Sequence, residues 1–187
     1  RDQFRAENAV THPNIVLPTS AHAAFDKAAA YFGVELRRVA VQSDWRADVE
    51  AMAQHIDLNT VLIVGSSPQY PQGVIDDIPA LANIALQHGV NFHVDACMGG
   101  VSLAYLSRLN QPVPPWNMAV HGVTSISVDL HKFGYTSKGA SVIMYANKRL
   151  RSYQGFFTDQ WLGGVYASSG MLGTKSGGPI AAAWAVM

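Results

Sequence analysis

Apolar positions along the chain fall into short runs separated by longer stretches of helical period. Residues 14–17 (NIVL) follow Pro13 and stop at Pro18, which predicts a short strand. An alanine-rich helix is predicted over 23–32, with Ser20 placed to cap it and Gly33 to end it. Alternation over 34–41 (VELRRVAV) predicts a strand, and 48–56 a helix. The continuous apolar run 60–65 (TVLIVG) reads as a strand covered on both faces. A polar, turn-rich loop follows at 66–73 (SSPQYPQG). Asp77 opens a helix that runs to about Gln87, and Gly89 terminates it. Residues 90–94 (VNFHV) form another strand, which ends at Asp95.

A helix is predicted over 101–109 and a proline-rich loop over 111–115. A β-branched, alternating strand over 123–128 leads into His131-Lys132. A strand at 140–145 (ASVIMY), a short polar helix or turn at 149–155, and an irregular glycine-rich stretch at 158–179 complete the pattern, before an uncapped apolar helix at 180–187. Strands that alternate with helices predict an α/β fold with a largely parallel sheet. The segment 140–145 is the expected antiparallel exception, because about ten residues separate it from the strand before it, too few for a helical crossover.

Composition sharpens this picture. The 187 residues suit one domain, yet only 14% are charged, against about 25% in an average domain. Such a chain is expected to bury surface against something outside itself. Arg1 falls inside a polar helical pattern and the last helix lacks a cap, so a piece of a longer chain is expected. The net charge is +0 with no basic run, which gives no support to nucleic-acid binding or polybasic membrane attachment. Cys97 is the sole cysteine, so no internal disulfide forms and a reducing compartment is expected.

Polar residues at the ends of apolar strands are the candidates for chemistry. Lys132 has two readings: a solvated loop lysine, or an amine whose pKa is lowered by burial or a neighbouring cation such as His131, and which then forms Schiff bases with carbonyls. Asp95 is either a helix cap or the anionic partner of a protonated ring nitrogen; a carboxylate at a strand end is costly unless paired. His22 either caps a helix or stacks on a flat ring. A competing reading pairs His93 with Asp95 and Asp129 with His131 around a metal, but it leaves Lys132 idle; His93 is expected to pack with a hydrogen bond inside the sheet. Gly99-Gly100 permits close backbone approach or a simple turn. Phe133, Trp45, Trp116 and Trp184 are expected to pack. Placing the 66–69 loop, Asp95, His131-Lys132 and His22 on one sheet edge is the working geometry.

Five stretches carry a family resemblance: PTSAHAAFDKAAAYFGV, SSPQYPQGVIDDIPALA, FHVDACMGG, GVTSISVDLHKFGYTSKGAS and GGVYASSGMLGTKSGGPIAAAWA. The chain resembles the pyridoxal-phosphate-dependent group II decarboxylase superfamily and, within it, the sphingosine-1-phosphate lyases. The resemblance implies a large domain of fold type I, the aspartate aminotransferase type, bound to pyridoxal 5'-phosphate in a homodimer with shared active sites. Residues 1–187 are then part of that domain, with the upstream phosphate loop and the C-terminal small domain outside the chain.

It implies that Lys132 carries the cofactor as a Schiff base, that Asp95 pairs with the pyridine nitrogen, and that His22 stacks on the ring. His131, Ser127 and Thr174 are cofactor-binding candidates. Tyr135 is a catalytic candidate, with Lys132 the alternative for the proton-abstracting base. Lys138, Tyr166 and Lys175 are substrate-binding candidates, the loop around 166–178 reaching a partner subunit's site. Thr174-Lys175-Ser176 departs from the Ser-Arg-Pro more usual in the family, and lysine lacks the guanidinium fork.

The implied reaction is carbon–carbon cleavage of a phosphorylated sphingoid base. Amino-acid decarboxylation on the same cofactor and a non-catalytic module keeping the fold are the rivals. The implied location is the cytoplasm, or the cytosolic face of the endoplasmic reticulum membrane if an anchor lies outside this chain.

Overall fold

The computed structural model describes residues 2–187. The expectation that the chain begins within a helix falls on Arg1, outside the described residues; a helix, α1 (Asp2–Glu7), follows directly. Next come β1 (Asn14–Pro18), α2 (Ala24–Phe32), β2 (Glu35–Val39), α3 (Val49–Gln54) and β3 (Thr60–Ser66). Then follow α4 (Ile78–His88), β4 (Asn91–Asp95), α5 (Gly100–Arg108), β5 (Ser125–Asp129) and β6 (Ser141–Tyr145). The chain continues through α6 (Lys148–Ser152), β7 (Phe156–Trp161), β8 (Gly164–Ser168) and α7 (Gly177–Val186).

Six strands form one sheet in the order β2-β1-β3-β4-β5-β6. All neighbouring pairs are parallel except β5 with β6, as the short connection requires. Helix boundaries follow local chemistry. Asp48 and Asp77 cap α3 and α4 by accepting from Ala51 and Ala80 N–H, and Gly33 and Gly89 end α2 and α4 in the left-handed conformation. The main core lies between the sheet and α3, α4 and α5. Phe92, Ile63, Leu81, Met52 and Ile126 are fully buried there, each contributing roughly 1.5–3 kcal/mol.

Gly99 and Gly100 are sites of close approach. A Cβ on Gly99 would stand 2.4 Å from the Ser67 carbonyl oxygen, and one on Gly100 2.6 Å from a Val128 methyl. Backbone cannot swing aside as a side chain can. Gly99→Ala is therefore expected to destabilise the full-length protein by roughly 1–3 kcal/mol. Urea unfolding measures this, and wild-type stability would contradict the tight packing.

Several expectations need correction. Ser20 does not cap α2; its Oγ is buried without a partner, and the His22 ring accepts from Ala24 N–H at 3.0 Å instead. The stretch 158–179 is not irregular throughout: β7 and β8 pair as an antiparallel hairpin around Leu162-Gly163, and Ser176 caps α7. Trp116 is buried, but Phe133, Trp45 and Trp184 are 48%, 51% and 88% exposed. Trp45 sits at φ +69° in a tight turn, with its N–H bonded to the Gln42 carbonyl. Phe133 lies on the loop beyond β5, at the rim of the sheet. Trp184 belongs to α7, which is apolar on all sides yet buries only Ala183. A helix of that character is normally enclosed. Phe156, Phe157, Trp161 and Leu162 on the hairpin are exposed as well, so both elements present apolar side chains that the described residues do not cover.

Candidate active site

Parallel strands end together, so Pro18, Ser66, Asp95 and Asp129, the last residues of β1, β3, β4 and β5, share one sheet edge. The strand order reverses beside β1 and β3, the kind of position where open α/β sheets bind ligands. A cavity of about 200 Å³ opens there. His22, Asp95, Ser127 and Lys132 line it, together with Ser66 and Pro68 of the loop after β3. Residues from four separate connections thus converge, as the sequence predicts.

The wall formed by the 66–69 loop is held from behind. Asp76, almost fully buried, accepts from Ser66 N–H and Ala47 N–H, each at 2.8 Å. Burial raises its pKa, opposed by these two donors. Gln69, placed at the site by sequence, is buried and bonds Gln72 instead, so it braces the loop.

Asp95 accepts on a single oxygen, Oδ1, from Cys97 N–H at 3.1 Å and Ser127 Oγ–H at 3.4 Å. It does not cap α5, which begins five residues later at Gly100. Lys132 Nζ lies 2.9 Å from Asp129 Oδ2. Desolvation pulls the lysine pKa down, but the hydrogen bond and charge of Asp129 outweigh it, and the net shift is upward. The expectation of a lowered lysine pKa is thereby corrected: the nearest charged group is an anion. His131 is turned away from the amine: its Nδ1–H donates to the Ala140 carbonyl at 2.9 Å, and its Nε2 faces the Asp129 carboxylate at 3.8 Å.

His22 lines the cavity with its Nδ1 committed to Ala24 N–H and its ring edge-on to Tyr70, 6.5 Å between centroids. His93 packs inside the sheet as expected, bonded to Ser125 and Ser127. Both its nitrogens are thus engaged, and among the described residues no group of three His, Cys, Asp or Glu could hold a metal ion.

The remaining candidates lie elsewhere. Tyr135 is 82% exposed, and it and Lys138 occupy the loop after Lys132 without lining the cavity. Tyr166 packs against Phe156 and Trp161 in the hairpin. Lys175 lines a separate groove beside β6 with Ser141, Lys148 and Arg151, and Thr174 is exposed just before it. Within one chain the fold does not bring these last three to Lys132.

Among the polar residues of the cavity, sequence reasoning gave Cys97 and Tyr70 no place at the site, and it named Asp129 only in the metal reading, not as the partner of Lys132. The three-residue spacing of Asp129 and Lys132 was a readable signal. Cys97 follows Asp95 by two residues in a tight turn; burial first, then the Asp95 charge, pushes its thiol up to about 12, so it stays protonated and unreactive. Tyr70 gave no signal beyond its turn-rich surroundings. Chemically, the cavity offers an amine able to capture a carbonyl and a carboxylate able to pair with a protonated heterocycle.

Comparison with known proteins agrees with this architecture. The chain is 45% identical over 187 residues to a sphingosine-1-phosphate lyase of Arabidopsis thaliana, covering 100% of the chain and 34% of that protein. It is 48% identical over 182 residues to sphingosine-1-phosphate lyase 1 of Rattus norvegicus, covering 97% of the chain and 32% of the relative. The chain thus spans about a third of the length of the curated relatives it matches. A sphingosine-1-phosphate lyase structure from Burkholderia pseudomallei superposes with a TM-score of 0.96 at 42% identity, over 100% of this chain and 43% of that one. A glutamate decarboxylase from Lactobacillus brevis shares the fold, with a TM-score of 0.80 at 20% identity, over 98% of this chain and 43% of that one. The fold is therefore the fold type I α/β arrangement. Residues 2–168 match the pyridoxal-dependent decarboxylase conserved domain, and with the sheet order and the strand-end cavity in agreement, the chain belongs to the pyridoxal-dependent decarboxylase family.

Proposed function

We propose that the whole protein is a pyridoxal 5'-phosphate-dependent carbon–carbon lyase. Its substrate would be a phosphorylated sphingoid base such as sphingosine 1-phosphate, cleaved to a long-chain aldehyde and phosphoethanolamine. The observation that carries this reading is the 45% and 48% identity to sphingosine-1-phosphate lyases across nearly the whole chain.

The cavity residues fit the cofactor. When bound, pyridoxal phosphate supplies a protonated ring that takes up the electron pair of the breaking bond. Lys132 Nζ is the amine for its aldehyde carbon. Asp95 has Oδ2 left for the ring nitrogen, because Cys97 N–H and Ser127 both bond Oδ1. His22, its orientation fixed by Ala24 N–H, is the side chain for the ring face. Ser127 and His131 are assigned to hold the cofactor of their own chain, and Thr174, which lies away from this cavity, that of a second copy.

A base must take the proton from the substrate's C3 hydroxyl so that the bond between C2 and C3 can break. Lys132 and Tyr135 are the two groups proposed for it. Lys138 is assigned to the substrate phosphate. Tyr166 and Lys175 would serve that phosphate in a second copy of the chain, since within one copy they lie away from the cavity. The uncovered apolar residues of the hairpin and α7 support such a homodimer. Among the described residues no helix is long and apolar enough to cross a membrane. We assign the reaction to the cytoplasm or the cytosolic face of the endoplasmic reticulum.

The test supplies the full-length protein with sphingosine 1-phosphate and, separately, with glutamate and aromatic amino acids. Equal yields of aldehyde and phosphoethanolamine, without carbon dioxide from the amino acids, are expected. Carbon dioxide without aldehyde would make the protein a decarboxylase. A protein that stays colourless after cofactor addition would be a non-catalytic module.

A further inference from the structure

We propose that His93 is a positioning residue that acts through Ser127 to keep Asp95 in the charged form that holds the ring-nitrogen proton. This deepens the reading above and rests on it, since it takes Asp95 as the partner of that nitrogen.

The parallel register pairs His93 with Ser125 and Asp95 with Ser127 on adjacent strands. Because side chains alternate across a strand, all four stand on one face. His93 Nδ1 lies 2.9 Å from Ser125 Oγ, and His93 Nε2 lies 3.1 Å from Ser127 Oγ. Ser127 Oγ lies 3.4 Å from Asp95 Oδ1 and 3.2 Å from Cys97 Sγ.

Donor counting fixes the direction of this chain. A carboxylate only accepts, so the single Ser127 proton goes to Asp95. Ser127 oxygen must then accept from its other neighbours, the Cys97 thiol and the His93 ring. That places the His93 proton on Nε2 and leaves Nδ1 to accept from the Ser125 hydroxyl. The imidazole is buried, and desolvation depresses its pKa to about 4 against the opposing charge of Asp95, so one ring proton is what it carries near neutrality.

Every link thus points its proton toward Asp95 Oδ1. Hydrogen bonds to a carboxylate favour its charged form. With Oδ1 so held, a proton shared across Oδ2 rests on the ring nitrogen, where it makes the ring an electron sink. Phe25 meets the His93 ring edge-on, with ring centroids 6.1 Å apart. None of this requires His93 to touch substrate or cofactor.

The experiment reconstitutes the full-length protein with pyridoxal phosphate carrying nitrogen-15 in the ring and reads the nitrogen chemical shift at one neutral pH. In the wild type the shift lies in the protonated range. His93→Leu and Ser127→Ala should each move it toward the neutral-ring value and weaken cofactor binding by about tenfold, the scale of a lost hydrogen bond to a charged group. His93→Gln, whose amide can still donate to Ser127, should restore most of the wild-type shift. If His93→Leu fails to fold, His93→Asn decides, because its shorter amide takes the Nδ1 place beside Ser125 and leaves Ser127 without a donor from this position. Wild-type shifts in the folded variants, beside a moved shift in Asp95→Asn, would overturn the role of His93 and leave Asp95 in place. An unmoved shift in Asp95→Asn as well would overturn the assignment of Asp95 itself.

Discussion

On the proposed lyase reading, Lys132→Ala in the full-length protein is expected to abolish the visible absorbance of bound cofactor and to lower cleavage of sphingosine 1-phosphate by at least about 10³-fold, since general acid–base groups alone contribute about 10²–10⁴. Two properties of Lys132 make this result interpretable. Its side chain is 32% exposed and pairs with Asp129 at the sheet edge, so its removal leaves no cavity in the core. Asp129 keeps its hydrogen bond from Ser141 Oγ–H in the variant, so the carboxylate is not left without a donor, and the variant is expected to fold. The loss therefore reports chemistry rather than folding. Asp129 also gives the amine a competitor for any carbonyl: the ion pair favours the protonated lysine, so Lys132 would have to leave Asp129 before it could hold a cofactor aldehyde. Retained absorbance in Lys132→Ala would move the attachment point to another amine and dismantle the assignment of the cavity.

The parts of this fold that were legible in the sequence are those set by local period and by punctuation. Residues 60–65 were continuous apolar because β3 is covered on both faces, and Asp77 and Gly89 bounded α4 because each satisfies helix-end groups. Asp95 and Lys132 stood out for a related reason. A polar residue at the end of a buried strand has little structural motive, and the parallel sheet gathers such ends on one edge. The hairpin of β7 and β8 was missed although Gly163-Gly164 marks a turn between aromatic runs. The number of glycines there suggested irregular chain, and the pairing that overrode it is antiparallel contact between neighbours, not period.

The exposed aromatics failed for a different reason. Reading Trp184 and Phe133 as core assumes that the chain closes its own surface. α7 buries one residue and the hairpin aromatics are exposed, so among the described residues nothing closes these two apolar faces. The same limit governs Thr174, Tyr166 and Lys175. No pattern within one chain can place them at a site that, on the proposed reading, needs a second copy. His93 was half legible: its burial and hydrogen bonding followed from a strand interior, but its link to Asp95 depends on the register of β4 against β5, which no single strand encodes.

Asp95→Asn separates binding from electron withdrawal. Asparagine has the same shape and can still accept from Cys97 N–H and Ser127 Oγ–H through its carbonyl oxygen, so the turn after β4 is kept and the cofactor still binds. What it loses is the negative charge, and without a counter-ion the ring nitrogen gives up its proton in a low-dielectric cavity. The ring then withdraws electrons poorly, and cleavage slows by about 10²–10³-fold, the scale of removing one preorganised electrostatic partner of a transition state. The loss should fall on kcat with little change in KM, because the substrate's own contacts are intact. Cleavage at the wild-type rate with bound cofactor would show that the electron pair is stabilised by some other group. Loss of cofactor with kcat intact at saturating cofactor would recast Asp95 as an anchor. The first result expected, a coloured protein that turns over slowly, ties the carboxylate at the end of β4 to the breaking bond.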